Sequence, residues 1–154
     1  MKRIILLCLF FAMPSVADDT SSIDEIIDTY YAVISGPKGH LYDAQRDASI
    51  HAEGALITKF FQDGRFQRHN LVKEQTMITV PYDAGFFEFE VGRRVEHTEN
   101  IAHVWSDFEV RSAPQGEVID RGVNSISLFF RDQRWWISSW STQYTDTVID
   151  TSEA

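Results

Sequence analysis

Asp43 and His51 bracket a short segment of helical pattern, and a carboxylate with an imidazole can take a proton from a small organic molecule and return it. Eight residues separate them, so spacing alone does not bring them together, and two solvated surface side chains are the other reading. Tyr31 carries a phenol that could donate to an oxyanion, but it lies in an apolar helical stripe and so also reads as core. Asn124, in a strand-like run, needs a partner for its amide: a bound ligand, a structural bond to Ser141, or a buried water. Arg93 would offer a bidentate donor to a carboxylate or enolate ligand if enclosed, and would reach solvent if it sits at a sheet rim.

Several other chemistries are disfavoured. His40, His51, His69, His97 and His103 show no H-x-H, H-x-x-x-H or H-E-x-x-H spacing, so neither metal nor cofactor is expected. The chain has no glycine-rich phosphate loop and no G-x-S-x-G elbow, which argues against nucleotide hydrolysis and acyl transfer through a serine. Its single cysteine, Cys8, falls in the leader described next.

Residues 1–17 read as a secretory signal: Lys2 and Arg3 at the start, an apolar run from Ile4 to Met13, and Ser15-Val16-Ala17 as a small-x-small cleavage site. The run is well short of the ~20 residues that span a bilayer. The expectation is an exported protein, periplasmic or secreted, with no membrane association after cleavage and no disulfide. Removing the leader takes the net charge from −9 to −11, since it holds two basic and no acidic residues. Such acidity lacks the basic face that phosphate backbones require, so nucleic acid is not an expected partner. The remaining residues, 18–154, suffice for one ordinary domain with a packed aromatic-rich core, and 147–154 read as a loose acidic tail.

These residues must be positioned by helices first and strands afterwards. Ile23, Ile26, Ile27, Tyr30, Tyr31 and Ile34 recur at helical spacing over 22–35, with Ser22 and Glu25 as a capping box and Gly36-Pro37 as a stop. Weaker helical patterns cover 41–49 and 70–79, the latter ended by Pro81. Two short strands, 55–61 and 65–68, flank the Asp63-Gly64 turn, and four long ones follow at 86–97, 101–112, 118–130 and 134–144. The order indicates an α+β fold with helices covering one face of a long antiparallel sheet.

Turn positions fix an expected register. With Glu99-Asn100 as a two-residue turn, Val95 faces Val104, Val91 faces Phe108 and Phe89 faces Val110 on the inner side, together with Arg93 and Ser106. Glu90 and Glu109 then pair on the opposite side, with Glu96 against His103 and Arg94 against Trp105. With Asp132-Gln133 as the second turn, Phe130 faces Trp135, Leu128 faces Ile137, Ile126 faces Ser139 and Asn124 faces Ser141, leaving Phe129, Trp136 and Trp140 on the other side. Arg93, Ser106, Asn124 and Ser141 are the expected ligand-binding positions on the inner face.

The run Glu88-Phe89-Glu90, Arg93-Arg94-Val95-Glu96, Asn100 to Ser106, Arg121-Gly122-Val123-Asn124-Ser125 and Arg134-Trp135-Trp136-Ile137 resembles bacterial proteins of the nuclear transport factor 2-like superfamily. The resemblance implies a cone: a curved sheet wrapped around three helices, enclosing a pocket whose mouth lies near Asp43 and His51, and often a homodimer joined through the sheet. It does not imply one activity, because such folds serve isomerases, dehydratases, cyclases and proteins that only bind. Steroid isomerases pair a helix tyrosine with two pocket acids. Tyr30 or Tyr31 suits the first role, but no aspartate falls among the expected inward residues, and no residue is carried over as catalytic. Three functions follow: a module binding a small, largely apolar molecule with Asn124 and Arg93 orienting it; a cofactor-free isomerase or dehydratase with Asp43 or His51 as base and Tyr31 or Asn124 at the oxyanion; or an assembly subunit that uses the fold to dimerise.

Overall fold

The computed structural model describes residues 19–146. The expected leader and acidic tail lie outside the described residues. Helix α1 (Ile23–Ile34) opens where the capping pair requires: the Ser22 hydroxyl accepts from the Glu25 amide at 3.1 Å and donates to the Glu25 carboxylate at 3.1 Å. It buries Ile26, Ile27, Tyr31 and Val33 against the sheet. Burying an aliphatic side chain of this size contributes about 1.5–3 kcal/mol. Gly36 then ends the helix and pairs with Phe86, exchanging backbone bonds of 2.7 and 2.9 Å. A side chain there would strike the His40 ring, since an added Cβ would lie 2.2 Å from its Cγ.

Helix α2 (Ala44–Ile50) runs directly into strand β1 (His51–Phe60), which turns back as β2 (Phe66–Asn70) and is followed by the short α3 (Leu71–Gln75). The four long strands are β3 (Phe87–His97), β4 (Ile101–Arg111), β5 (Val118–Arg131) and β6 (Arg134–Tyr144), close to their predicted limits. Both predicted weak helices form, but each is shorter than its sequence pattern.

One curved sheet results, ordered β2-β1-β6-β5-β4-β3, with α1 packed on β3 and β6, α2 on β1 and β6, and α3 on β1 and β2. It is antiparallel except where β1 lies parallel to β6. That parallel pair joins strands far apart in sequence, so no turn signal could announce it. The core between helices and sheet contains Phe108, Val104, Ile126, Leu128, Ile137 and Trp140, all buried.

The two long hairpins keep their expected register near the turns and lose it at one bulge each. In β3/β4, Val95 pairs with Val104, Arg93 with Ser106 and Gly92 with Asp107, but the next pair is Glu90 with Phe108. Val91 is the extra residue and points outward, 54% exposed. The expected pairs Val91/Phe108, Phe89/Val110 and Glu90/Glu109 are therefore replaced by Glu90/Phe108, Glu88/Val110 and Phe89/Glu109. An added residue inverts every side chain beyond it, so Glu88 and Glu90 face inward.

In β5/β6, Phe130 pairs with Trp135 and Leu128 with Ile137 as expected, and then Ser138 is the extra residue. Beyond it Ile126 pairs with Trp140, Ser125 with Ser141 and Asn124 with Thr142. Trp140 is turned into the core at 2% exposure, contrary to its expected outward position, and Ser141 is turned out of the position expected opposite Asn124.

Candidate functional site

Side chains turned inward by the two bulges, Glu88 from one and Trp140 and Thr142 from the other, meet at Asn124, which is fully buried. Its amide nitrogen donates to the Tyr31 hydroxyl at 3.2 Å and to a Glu88 carboxyl oxygen at 3.2 Å. Its carbonyl oxygen accepts from the Trp140 indole at 2.9 Å and from the Thr142 hydroxyl at 2.7 Å. All four hydrogen-bonding positions of the carboxamide are thus filled by protein, and the expected partner Ser141 is replaced by Thr142 and Trp140. Asn124 acts on its surroundings through Glu88.

Donor directions can be followed outward from Asn124. Ser106 donates its only hydroxyl proton to Glu90 at 2.5 Å, so Tyr31 donates to Ser106, 2.6 Å away, and accepts from Asn124. Glu90 in turn accepts from the Arg93 guanidinium, whose Nε lies 2.9 Å from each carboxylate oxygen. Arg93 also contacts Asp24 and Asp28 of α1, both at 2.6 Å. Arg93 is thus enclosed by three carboxylates of its own chain, and these raise its pKa against the effect of partial burial. Ser106 and Tyr31 are internal links of the same network. Burial, with Glu88 nearby, pushes the Tyr31 phenol well above its usual range, so it remains a proton donor.

Glu88 differs from Glu90, the other carboxylate of this network, because it borders open space. A cavity of about 300 Å³ lies over it, walled by Tyr30, Ile34, Tyr82, Phe86, Thr142 and Tyr144, with Lys59 and Glu74 at one side. Glu88 is 7% exposed, and loss of hydration pushes its carboxyl up to about 7, against the opposing pulls of the Asn124 amide and Lys59. Lys59 is itself bound to Glu74 at 2.5 Å, and His69 holds the other oxygen of that carboxylate. Burial raises the Glu74 pKa, but Lys59 and His69 outweigh it and hold the group below its usual value. The Tyr144 phenol is raised by burial and then by Glu88. Neither the Tyr30 nor the Tyr144 hydroxyl makes a hydrogen bond among the described residues, so both are donors available to the cavity.

Of the residues that sequence alone brought forward, His51 lies beside a smaller adjoining chamber of about 40 Å³, with Asp47 and Tyr42. Asp43 is exposed and caps α2, accepting from the Arg46 amide at 2.9 Å, and it lines neither chamber. Asp43 and His51 are therefore not brought together; Asp47, one helical turn before His51, takes the place beside it. Sequence reasoning missed Glu88, Thr142 and Tyr144. Gly92 inside a strand was the available sign of a bulge, whereas the bulge at Ser138 carries no such residue.

A larger open groove of about 460 Å³, near the β1–β2 turn, mixes Asp63 and Asp120 with Arg65 and Arg121 and adjoins Tyr144 from its far side. Among the described residues, no group of three or more His, Cys, Asp or Glu side chains could hold a metal ion, and no helix is long and apolar enough to cross a membrane.

A curved six-stranded sheet folded over α1, with a cavity between them, is the decisive feature for comparison. The chain has the nuclear transport factor 2-like fold. A protein of unknown function with a cystatin-like fold from Nostoc punctiforme superposes with a TM-score of 0.65 over 82% of this chain and 90% of its own, at 8% identity. An NTF2-like protein with a cystatin-like fold from Novosphingobium aromaticivorans gives 0.61 over 80% of each chain, at 13% identity. An NTF2-like protein of unknown function from Shewanella baltica gives 0.56 over 81% of this chain and 92% of its own, also at 13% identity. No known family model and no curated protein matches the sequence. At these identities the likeness is one of fold, and the chemistry of this domain must be argued from its own residues.

Proposed function

We propose that the cavity over Glu88 binds a small, largely apolar carbonyl compound, and that Glu88 moves a proton on it. The single supporting observation is a buried carboxyl, with a pKa raised to about 7, at the wall of an aromatic-lined cavity. A general acid-base group works best when its pKa is near the ambient pH, because it is then both present in each protonation state and responsive to the substrate. In its ionised form Glu88 takes a proton from the carbon beside the carbonyl. The resulting negative charge on the carbonyl oxygen is met by the Tyr144 or Tyr30 hydroxyl, and protonated Glu88 returns the proton to the same or a conjugated carbon. Atoms balance without any co-reactant, as an isomerisation requires.

The assembly reading finds less support, since the cavity is not filled by the protein's own aromatic side chains. A homodimer through the outer sheet face and export directed by residues 1–17 remain part of this proposal.

The test uses β-tetralone, a flat ketone with acidic carbon-bound hydrogens. Its deuterium uptake in heavy water is followed by NMR with the protein and with Glu88→Gln. Exchange should exceed the buffer rate and fall by at least about 100-fold in the variant, in the range that a positioned general base contributes. An unchanged rate in Glu88→Gln, with the variant folded, refutes the proton-transfer role.

A further inference from the structure

His51 is 3% exposed, and its two ring nitrogens stand in different situations. Nδ1 lies 2.8 Å from the backbone carbonyl oxygen of Asp47. A carbonyl oxygen can only accept, so Nδ1 carries a proton and donates it. The Asp47 carboxylate, 3.5 Å from the same nitrogen, reinforces that arrangement, and is itself held by the Tyr42 hydroxyl and by the Gln75 amide at 3.2 Å. With the proton on Nδ1, Nε2 is the nitrogen that carries the lone pair whenever the ring holds a single proton. It is buried and has no hydrogen-bond partner among the described residues. Leaving such an acceptor unsatisfied is costly, because the hydration it loses on burial is not replaced.

The small chamber bordered by His51 is walled by Tyr30, Tyr42, Ile57, Leu71 and Trp140. Tyr30, Ile34, Lys59, Glu74 and Ile78 also wall the cavity over Glu88, so the two spaces adjoin at these side chains. About 40 Å³ exceeds the minimum for one water, and is therefore room for one hydroxyl group of a larger molecule. Tyr30, Tyr42 and Trp140 in the small chamber and Tyr82, Phe86 and Tyr144 in the larger cavity offer ring faces that suit a flat ring.

We propose that His51 Nε2 is the acceptor for a hydroxyl group on the molecule held in the cavity, which makes the site selective for hydroxylated ring compounds. The inference rests on the cavity being a binding site, and adds to it a specificity-determining residue and a substrate class. His51 here orients the ligand and takes no proton from carbon. A site that satisfies a buried acceptor only when the ligand brings an O–H group discriminates strongly against the analogue that lacks it.

The experiment compares β-naphthol with β-naphthyl methyl ether, which has the same ring and no hydroxyl proton. Titration of the full chain should show β-naphthol binding about tenfold more tightly or better, and His51→Phe should reduce the difference to about twofold or less. His51→Gln, which keeps an acceptor, should retain part of the preference. Independently of any variant, the imidazole nitrogen resonance of Nε2 should move on adding β-naphthol and stay in place with the ether. Equal binding of the two probes, or a preference that survives in His51→Phe, overturns this inference while leaving the cavity reading intact. Binding of neither probe overturns this inference, and deuterium exchange into β-tetralone then decides the cavity reading by itself.

Discussion

Glu88 and Glu90 lie two residues apart on one face of one strand, turned inward by the same bulge, yet their surroundings are opposite. Glu90 receives two contacts from the Arg93 Nε and the hydroxyl of Ser106, and the Arg93 head also reaches Asp24 and Asp28 on α1. Its charge is neutralised at a rim that stitches helix to sheet. Glu88, deeper, receives one amide from Asn124 and otherwise faces an aromatic-lined cavity. A carboxylate with a cation beside it holds structure, whereas one left to a single neutral donor is poorly solvated and keeps its proton to higher pH. The contrast separates the part of the inner face that stabilises the cone from the part that could do chemistry.

Opposite responses at the two carboxylates would sharpen that contrast most. The Glu88 pKa rises from 4.5 to about 7 on folding. Below pH 4.5 the group is protonated in both states and exerts no penalty. Above that, the unfolded chain releases its proton first, so stability falls with rising pH until the folded carboxyl ionises near 7. The wild type should lose about 3 kcal/mol relative to Glu88→Gln over this interval, at about 1.4 kcal/mol per pKa unit. Urea denaturation of both proteins from pH 4 to 8 measures the difference. Parallel stability curves would show that Glu88 is not held in a penalised state.

The rim should respond with the reverse sign and a smaller magnitude. Arg93→Met leaves Glu90, whose side chain is only 17% exposed, without its cation, and should cost about 2 kcal/mol near neutral pH. Asp24 and Asp28 are more than two-thirds exposed, so their share of that loss is small and should vanish at high salt. Adding Glu90→Gln to Arg93→Met should recover much of the loss, because it removes the orphaned charge. A double-mutant cycle read by urea midpoints decides the matter; strictly additive losses would mean that the rim is not a coupled cluster.

What could be read from the sequence, and what could not, follows the same division. The capping pair Ser22/Glu25, the apolar face of α1, the turns at Glu99-Asn100 and Asp132-Gln133 and the register next to each turn were all legible, because each depends on residues close in sequence. The network around Asn124 was not, although Asn124, Tyr31, Ser106 and Arg93 were each recognised as inward or chemically notable. Pairing arithmetic carried past an unseen bulge assigns every later residue to the wrong face. One such error hid Glu88 and Glu90, and another exchanged Trp140 and Thr142 for Ser141. Gly92 offered a warning in the first case, since an interior strand glycine often marks a bulge. The serines around Ser138 offered none, and only the demand of a buried indole and a buried amide for each other fixes that register.

Asp43 and Ser141 mark the lower limit of these effects and test whether chemistry is confined to the floor of the cone. Asp43 accepts from the backbone amide of Arg46 at the start of α2, so Asp43→Ala should cost about 1 kcal/mol, the usual worth of an N-terminal cap. Ser141 pairs with Ser125 and lines neither chamber, so Ser141→Ala should stay within about 0.5 kcal/mol. Both variants should exchange deuterium into β-tetralone at the wild-type rate once the folded fraction is matched. A large rate loss in Asp43→Ala would be the informative failure. It would mean that the base sits at the helix start where the sequence pattern first suggested it, and that the raised pKa of Glu88 records burial alone.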